Sequence, residues 1–233
     1  QDPEGHELIA SCHHQGMVTD HVYRSQDLPT DRYMAVEGAN GLIAAVADAH
    51  SLEAAGSKIL HPLYHGPLGT AEAPFRGRMA LDGNLTLQLL QEIAQSPAFA
   101  EADLRVAPAS PGKAARLLPF LNHSRATLYV NLIEAGILCQ TEFADSEAAA
   151  RALLDRGAYR VLVTDGGKSA TEADTTQILT QTPPEVMVPR VTGAGDTFMA
   201  AHIAAEATGQ PRQDALNRAL LAAATYVSGE TPK

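Results

Sequence analysis

The sequence predicts an α/β fold in which a mostly parallel sheet is covered by helices on both faces. The first observation is an alternation, beyond residue 78, of apolar runs of strand length with longer helical stretches. The second is that polar or glycine-containing clusters follow the predicted strands, where ligands bind in such sheets. Because parallel strands need crossover connections, which are usually right-handed and helical, this alternation favours a parallel sheet.

The first fifty residues predict a helix and then a hairpin. The helix runs from Asp2 to Gln15, with Pro3 in its first turn, where a missing N–H costs nothing. Arg32 to Glu37 and Leu42 to Ala47 have strand-like composition. The turn residues Gly38 to Gly41 lie between them, so the two strands are expected to pair as a hairpin.

The next stretch, residues 56–78, is rich in Gly, Pro and His and does not distinguish a helix from a loop. His61 and His65 are four residues apart and could share a helix face as metal ligands. Pro62 and the lack of a nearby carboxylate ligand disfavour that interpretation. We therefore expect both histidines to be ordinary surface or loop residues.

The alternating region begins after residue 78. The helix predicted at 146–156 has Asp145 or Ser146 as its candidate N-cap and ends at Gly157. With no internal repeat or low-complexity linker, we expect residues 1–233 to form one α/β domain. Strands are predicted at 79–81, 104–107, 128–130 and 159–163, and helices at 86–94, 112–118, 146–156, 193–207 and 212–227.

Composition excludes several classes of partner. A net charge of −10 without a basic stripe argues against nucleic-acid binding. No apolar run approaches the ~20 residues that span a bilayer, so no membrane partner is expected. Cys12 and Cys139 fit neither a disulfide framework nor a cysteine-rich metal site, and we interpret them as free thiols in the cytoplasm. Because the chain opens on Gln1 in mid-pattern, without a signal peptide, we expect an N-terminal part to be absent from it.

The most informative segment is Thr192-Gly193-Ala194-Gly195-Asp196, directly before an apolar helix. The glycines allow a tight turn with uncovered N–H groups, and the helix start adds unpaired amides and a positive dipole end. The amides of Gly193, Ala194 and Gly195, hereafter the amide nest, could bind a phosphate or an oxyanion. The Asp196 carboxylate suggests proton abstraction beside a phosphate, as in alcohol phosphorylation. The alternative is an Asp that merely caps the helix.

Three other polar clusters follow predicted strands, and a site drawn from four loops is hard to explain by capping alone. They are Asp82-Gly83-Asn84, Asn131 with Glu134, and Thr164-Asp165-Gly166-Gly167.

These segments resemble the PfkB (ribokinase-like) carbohydrate kinases. Thr192 to Asp196 is similar to the second signature of that family, and Asn131-Leu132-Ile133-Glu134 to its Asn-x-x-Glu motif. Val163-Thr164-Asp165-Gly166 resembles the strand and loop that run along the nucleotide. The resemblance extends from the Asp2-Pro3-x-Gly5 helix to Gly229. It implies a ribokinase-like fold, with a small β lid at about residues 30–48, and a phosphotransferase that uses ATP and Mg²⁺.

The resemblance also implies roles for individual residues. Asp196 would be the general base toward a primary hydroxyl, and the amide nest would stabilise the transferring phosphoryl group. Glu134, with Asn131, would hold magnesium through water. Thr164 and Gly166 would line the nucleotide. Ala223 would lie near the adenine, although plain helix packing explains an alanine there equally simply.

Two further segments resemble the pseudouridine kinase branch, which would act on a nucleoside 5′-hydroxyl. Pro29 to Asp48 is similar to its lid hairpin, and Leu81 to Leu85 is similar to its substrate-side loop. Val106 to Ser110 with Lys113 resembles another of its segments. A lid of this kind often pairs between subunits, so a homodimer is a corresponding expectation. The candidate substrate-binding residues are Thr30, Asp48, Asp82, Asn84 and Asp196.

Several departures from the family keep two alternatives open. The usual opening strand with a substrate-binding Asp, and the Gly-Gly-x-x-x-Asn helix start after it, are not in this sequence. Arg190 stands where Asp or Asn is frequent, Tyr129-Val130 replaces Lys-Pro, Ala107 replaces Asp and Ser169 replaces Gly. The alternatives are a kinase of another sugar or nucleoside, like ribokinase or adenosine kinase, and a catalytically incomplete nucleotide-binding or regulatory remnant.

Overall fold

The structure, a computed structural model, describes residues 2–38 and 41–229. In the N-terminal part, helix α1 (Pro3–His14) is capped by Asp2, whose carboxylate accepts a hydrogen bond from the Gly5 N–H at 2.8 Å. Strands β1 (Arg32–Gly38) and β2 (Gly41–Asp48) pair antiparallel, with Arg32 opposite Asp48. The predicted helix and hairpin are confirmed. The predicted turn includes Ala39 and Asn40, which lie outside the described residues.

Short elements connect the hairpin to the main sheet. Helix α2 (His50–Ala55) runs into a 3-10 helix at Gly56–Leu60, which is followed by α3 (His61–Tyr64). Strands β3 (His65–Gly66) and β4 (Gly69–Thr70) then form a small antiparallel pair. The His61 and His65 rings contact each other edge to face, with centroids 5.7 Å apart. Neither belongs to a metal-binding cluster within the described ranges.

The central sheet has six strands, in the order β10-β9-β8-β7-β6-β5. Strands β5 to β8 are parallel, as predicted, and β9 and β10 extend the sheet antiparallel. The strands are β5 (Arg78–Asp82), β6 (Asp103–Ala107), β7 (Ala126–Asn131), β8 (Arg160–Thr164), β9 (Ala170–Asp174) and β10 (Ile178–Gln181). The remaining helices are α4 (Leu87–Gln95), α5 (Leu132–Cys139), α6 (Ser146–Asp155), α7 (Ala194–Ala207) and α8 (Arg212–Ser228).

Helices cover both faces of this sheet, which confirms the predicted fold class. On one face, buried residues of α4, α5 and α6 form a large apolar cluster with the strands. On the other, Phe198 and Met199 of α7 and Leu216 of α8 share a second cluster with Tyr129 and Leu162 of the sheet. No helix in the described ranges is long and apolar enough to cross a bilayer.

The helix predicted at 112–118 is a 3-10 helix, Pro111–Phe120. Its buried residues are Ala114, Leu117 and Phe120, three apart, which is the repeat of a 3-10 helix rather than an α-helix. Pro119 lies inside it and lacks the N–H that a continuous α-helix would use.

Strands β9 and β10 were missed by the sequence analysis. The sequence of β9, ATEAD, carries a Glu and a Thr at positions that the structure buries completely. A strand pattern read from hydrophobicity cannot find such a segment, because its burial depends on polar partners elsewhere in the chain.

The choice between two caps for α6 is resolved in favour of Asp145. Its Oδ1 accepts a hydrogen bond from the Ala148 N–H at 2.8 Å. Ser146 is instead fully buried, and its hydroxyl lies 2.9 Å from that of Thr171 on β9.

Candidate active site

The parallel register of the sheet brings three of the predicted clusters to one edge. Strands β5 to β8 all end there, and we call it the carboxyl edge. Asn131, the last residue of β7, is the register partner of Thr164, the last residue of β8. At the other end of this edge, Asp82 pairs with Ala107. The sheet therefore places Asp82, Asn131 and Thr164 where ligands bind in folds of this class.

The direction of α7 is fixed by two contacts with the sheet. Near its end, Glu206 accepts a hydrogen bond from Arg160 Nη2 at 2.6 Å, and Arg160 is the first residue of β8. One turn earlier, His202 Nδ1 lies 2.9 Å from the hydroxyl of Tyr129, in the middle of β7. The helix therefore runs antiparallel to β7 and β8.

Simple geometry then locates the start of α7. Ten residues of α-helix, from Glu206 back to Asp196, rise about 15 Å. Four residues of strand, from Arg160 to Thr164, rise about 13 Å. The first turn of α7 therefore lies level with the carboxyl edge, beside the ends of β7 and β8.

The turn before α7 has the left-handed backbone conformation that its glycine allows. Gly193 is the N-cap of α7, with φ +88°, a left-handed conformation that side chains rarely adopt. The Thr197 N–H and hydroxyl both bond to the Gly193 carbonyl, at 2.9 and 2.8 Å. The Ala194 N–H bonds to the Val191 carbonyl at 3.1 Å, so one of the three nest amides is used within the turn. Gly195 and Asp196 are exposed.

Asn131 and Glu134 form a reciprocal capping box at the start of α5. The Glu134 N–H donates to Asn131 Oδ1 at 2.9 Å, and the Asn131 N–H donates to Glu134 Oε2 at 2.8 Å. Burial raises the pKa of Glu134, although its hydrogen bonds to Asn131 oppose the shift. Asn131 and Glu134 therefore cap α5, and Glu134 is buried. The capping box occupies Glu134 Oε2, whereas Glu134 Oε1 has no hydrogen bond among the described contacts. The donor set therefore fits magnesium held through water better than magnesium ligated directly.

The predicted nucleotide-side residues occupy the loop after β8 and the last helix. Gly166 has φ +56° in that loop, where Lys168 Nζ lies 3.1 Å from Asp165 Oδ2. Ala223 is partly buried against the apolar cluster between α7, α8 and the sheet. Its described role is helix packing, which was the simpler of the two interpretations.

The predicted substrate-side loop is rigidly held. Both Asp82 carboxylate oxygens bond to Asn84, to its N–H at 2.8 Å and to its Nδ2 at 2.9 Å. Asn84 Oδ1 in turn accepts a hydrogen bond from Lys113 Nζ at 2.5 Å. Arg116 Nη1 donates to three successive carbonyls, those of residues 83, 84 and 85, at 3.0 to 3.3 Å. Nothing in the sequence marked Arg116, because its partners are backbone atoms.

The other two predicted substrate residues lie at the base of the hairpin. The Thr30 hydroxyl and N–H both donate to the Asp2 carboxylate at 2.6 Å. Asp48 Oδ1 lies 2.5 Å from His50 Nδ1. The described contacts of Thr30 and Asp48 are with Asp2 and His50, which flank the hairpin. These contacts do not join Thr30 or Asp48 to the carboxyl edge.

A buried group of charged residues lies between the sheet and the helices α7 and α8. Glu172, His202 and Glu206 have ligand atoms within 4.8 Å of one another, an arrangement that could hold a metal ion. However, Arg160 bonds to both carboxylates, Arg212 to Glu172 and Arg105 to Glu206. An entering cation would have to displace these guanidinium groups, so the group is an ion-pair network rather than a metal site. The sequence analysis missed it.

Two cavities, of about 410 and 720 Å³, lie at the opposite end of the sheet from the predicted site. The larger is lined by residues that include Arg105, Arg160 and Arg212. Neither cavity includes a residue that the sequence assigned to catalysis or binding.

Comparison with known proteins decides the family. The profile described as "pfkB family carbohydrate kinase" matches residues 1–232. The chain belongs to this family. Its fold is that of the ribokinase-like kinases, and the family implies a phosphotransferase. Comparison with curated proteins found no match.

Solved structures of other pfkB-like kinases share this fold. A carbohydrate kinase from Agrobacterium tumefaciens is 25% identical, with a TM-score of 0.72 over 94% of this chain and 68% of that one. Arabidopsis thaliana ribokinase, complexed with ribose and ATP, is 20% identical, with a TM-score of 0.76 over 97% and 73%. Adenosine kinase of Trypanosoma brucei brucei is 16% identical, with a TM-score of 0.74 over 98% and 73%.

Gly83, in the loop of residues 82–85 after β5, is expected to tolerate no side chain. A Cβ there would lie 2.2 Å from the Pro108 carbonyl oxygen, a backbone atom that cannot swing aside. We expect Gly83→Ala to lower the free energy of unfolding by about 1–3 kcal/mol, as overpacking does. Urea unfolding checks this. Gly112→Ala is the matched control, because a Cβ there meets nothing within 4 Å. Equal stability of the two variants would contradict the described loop.

Proposed function

We propose that this protein is an ATP-dependent kinase that transfers the γ-phosphate to the ribosyl 5′-hydroxyl of a nucleoside, with pseudouridine as the substrate. The observation that carries the proposal is the antiparallel course of α7. It brings Asp196 and the amide nest level with Asn131 and Thr164 at the carboxyl edge.

Asp196 is the proposed general base. Its carboxylate would accept the hydroxyl proton as the hydroxyl oxygen bonds to the γ-phosphorus. The bond from that phosphorus to the bridging oxygen would break and release ADP. The N–H groups of Gly193, Ala194 and Gly195 would donate to the phosphoryl oxygens, with the positive end of the α7 dipole behind them. The Ala194 N–H would have to leave its turn partner, the Val191 carbonyl, to take part.

ATP and Mg²⁺ are the proposed cofactors. Thr164 and Gly166 would line the nucleotide along the loop after β8, and Ala223 would border the adenine. Glu134, with Asn131, would hold a water molecule coordinated to magnesium through Glu134 Oε1, the oxygen that the capping box does not use. When bound with ATP, magnesium neutralises part of the phosphate charge. Ribokinase in complex with ribose and ATP is a structural relative that supports this nucleotide assignment.

The substrate assignment depends on the substrate-side loop and the lid. Asp82 and Asn84, which Lys113 and Arg116 hold in place, would contact the nucleoside. Thr30 and Asp48 would reach it from the lid when the hairpin folds over the carboxyl edge. We assign the reaction to the cytoplasm, where Cys12 and Cys139 remain thiols.

A substrate panel tests the proposal. Purified protein is incubated with ATP, Mg²⁺ and pseudouridine, ribose or adenosine, and products are resolved by chromatography and mass spectrometry. We expect the 5′-phosphate of pseudouridine to form fastest, and 5′-deoxypseudouridine, which lacks the acceptor hydroxyl, to give no product. A preference for ribose or adenosine would establish the second candidate, a kinase like those two structural relatives. Binding of ATP without turnover of any acceptor would establish the nucleotide-binding remnant instead.

We also propose that the β1–β2 hairpin pairs with a second copy of the chain. Met34 and Val46 oppose each other on one face, Tyr33 lies on the other, and Ile43 lies at the irregularity opposite Val36 and Glu37. All four are more than half exposed, between 58% and 71%. An isolated two-stranded hairpin is marginally stable, and apolar side chains on both faces favour a covering partner.

Light scattering on the purified protein measures this association. We expect a dimer for the wild type and a shift to monomer for Met34→Glu with Val46→Glu, since each of the two chains would bury two charges at the interface. Leu118→Glu, an exposed apolar position on the 3-10 helix, is the control and should not change the mass. A monomeric wild type would contradict the proposal.

A further inference from the structure

Arg190, Tyr226 and Gly193 form one contact between the loop before α7 and the last helix. The Arg190 guanidinium lies over the ring of Tyr226, with Cζ 4.0 Å from the ring centroid. Arg190 Nε also donates a hydrogen bond to the Tyr226 carbonyl oxygen at 2.8 Å. One side chain thus contacts the ring and the backbone of the same residue of α8.

One edge of the same ring, Cζ and Cε1 together with the hydroxyl, packs against the turn at Gly193. A Cβ added to Gly193 would lie 2.6 Å from the Tyr226 hydroxyl oxygen and 3.0 Å from Cζ. Tyr226 therefore packs directly against the Cα of the residue whose left-handed conformation begins the amide nest. Arg190 covers the face of the ring while Gly193 meets its edge.

The loop that leads to Gly193 is largely exposed. Residues 184–189 are exposed, and Met187 is 86% exposed. Pro189 approaches Gly229 at the end of α8, at 3.9 Å from the position of an added Cβ. The described contacts of Pro189 and Arg190 thus attach the loop to the C-terminal end of α8.

We propose that Arg190 and Tyr226 are positioning residues that hold the Gly193 turn and thereby orient the amide nest and Asp196. We call this pair of residues the latch. The proposal rests on the proposed function, because it assigns the pair a role in phosphoryl transfer.

The chemistry of the pair requires a flat cation on an aromatic face. A guanidinium stacks on the ring while its Nε still points along the plane to a carbonyl oxygen. A lysine ammonium has no planar face and no equivalent of Nε. A phenylalanine at position 226 would keep the stack and the carbonyl bond and lose only the hydroxyl. These differences separate the latch from a role of the hydroxyl itself.

Kinetics with saturating acceptor test the latch. We expect Tyr226→Leu and Arg190→Lys each to lower kcat by roughly ten- to a hundredfold, the effect of a displaced catalytic group, with a smaller change in the KM for ATP. Tyr226→Phe should stay within about threefold of the wild type, since it keeps the stacking face. The double variant should lose no more than the larger single effect, because both substitutions break one contact. Arg218→Ala, an exposed arginine on α8, is the matched control and should leave kcat unchanged.

Limited trypsin digestion gives a readout that does not depend on turnover. Cleavage after residue 190 needs the loop to leave the ring, and mass spectrometry identifies that product. We expect it to form about tenfold faster in Tyr226→Leu than in the wild type, and at the wild-type rate in Tyr226→Phe and Arg218→Ala. Circular dichroism and the melting temperature confirm that the variants are folded.

The outcomes separate the latch from the proposed function. If the wild type phosphorylates no acceptor, the proposed function fails, while faster cleavage in Tyr226→Leu still establishes the contact. Wild-type cleavage in Tyr226→Leu overturns the latch. Faster cleavage with unchanged kcat overturns its positioning role. A loss of kcat in Tyr226→Phe as large as in Tyr226→Leu also overturns it, because the hydroxyl would then be the important group.

Discussion

Replacing Asp196 with asparagine is expected to lower kcat by about 10²- to 10⁴-fold, the usual contribution of a general base. The amide keeps the size of the carboxylate but cannot take the hydroxyl proton. ATP binding should persist, because the amide nest is unchanged. The measurement is a steady-state assay of ADP formation with saturating nucleoside, together with calorimetric titration of ATP.

Asp214→Asn is the matched control for this substitution. Asp214 is the third residue of α8, as Asp196 is the third residue of α7, and both are exposed. Both changes remove a favourable charge from a helix N-terminus, worth about 0.3–1 kcal/mol of stability. Only Asp196→Asn should affect kcat. Full activity in that variant would eliminate Asp196 as the base.

Replacing Glu172 with glutamine is expected to lower the free energy of unfolding by about 3–5 kcal/mol, the cost of breaking a buried ion pair. Glu172 is fully buried and bonds to Arg160, to Arg212 Nε at 2.5 Å and to His202 Nε2 at 3.3 Å. Glutamine fits the space, but it removes the buried charge that Arg160 and Arg212 share, so that Arg160 keeps only Glu206 and Arg212 only Asp174 as a counter-charge. Urea unfolding at pH 7 measures the loss.

Glu101→Gln is the control for the Glu172 prediction. Its partner Arg76 is 2.8 Å away, but both side chains are exposed, so the change should cost about 0–1 kcal/mol. Similar losses of unfolding free energy in the two variants would show that burial does not determine how much these ion pairs contribute to stability.

The Glu172 effect should also depend on pH in a defined direction. Burial alone raises the pKa of Glu172, but the hydrogen bond from His202, the charge of Arg160 and the hydrogen bonds from Arg160 and Arg212 outweigh it and lower the pKa to about 2, from an ordinary value of 4.5. The stabilisation is therefore fully present above pH 4.5 and is lost as the pH falls toward 2. The difference in stability between the wild type and Glu172→Gln should shrink across that interval. A constant difference from pH 7 to pH 3 would contradict the assignment.

Local sequence patterns were sufficient to predict the parallel part of the sheet. Strands β7 and β8 have largely apolar cores, and α6 has an Asp cap that a sequence can show. The turn before α7 was predictable because glycine is the residue that adopts a positive φ without strain, as Gly193 does. Each of these features depends on residues that are adjacent in the chain.

The features that were missed depend on partners far along the chain. Strand β9 is buried with Glu172 in it only because Arg160 and Arg212, 12 and 40 residues away, supply the opposite charge. Arg116 holds the substrate-side loop through backbone carbonyls more than 30 residues earlier. No periodicity or propensity reports such pairings.

By itself, the sequence determined the α/β class, the positions of the main parallel strands and the turn chemistry at Gly193, since hydrophobic period and backbone freedom are local properties. Only the tertiary structure decided which way α7 runs across the sheet, and hence that Asp196 lies at the carboxyl edge beside Asn131 and Thr164. The physical reason is that Glu206 and Arg160 are buried together. Two charges removed from water need each other, and their pairing fixes the far end of the helix and so places its first turn at the carboxyl edge.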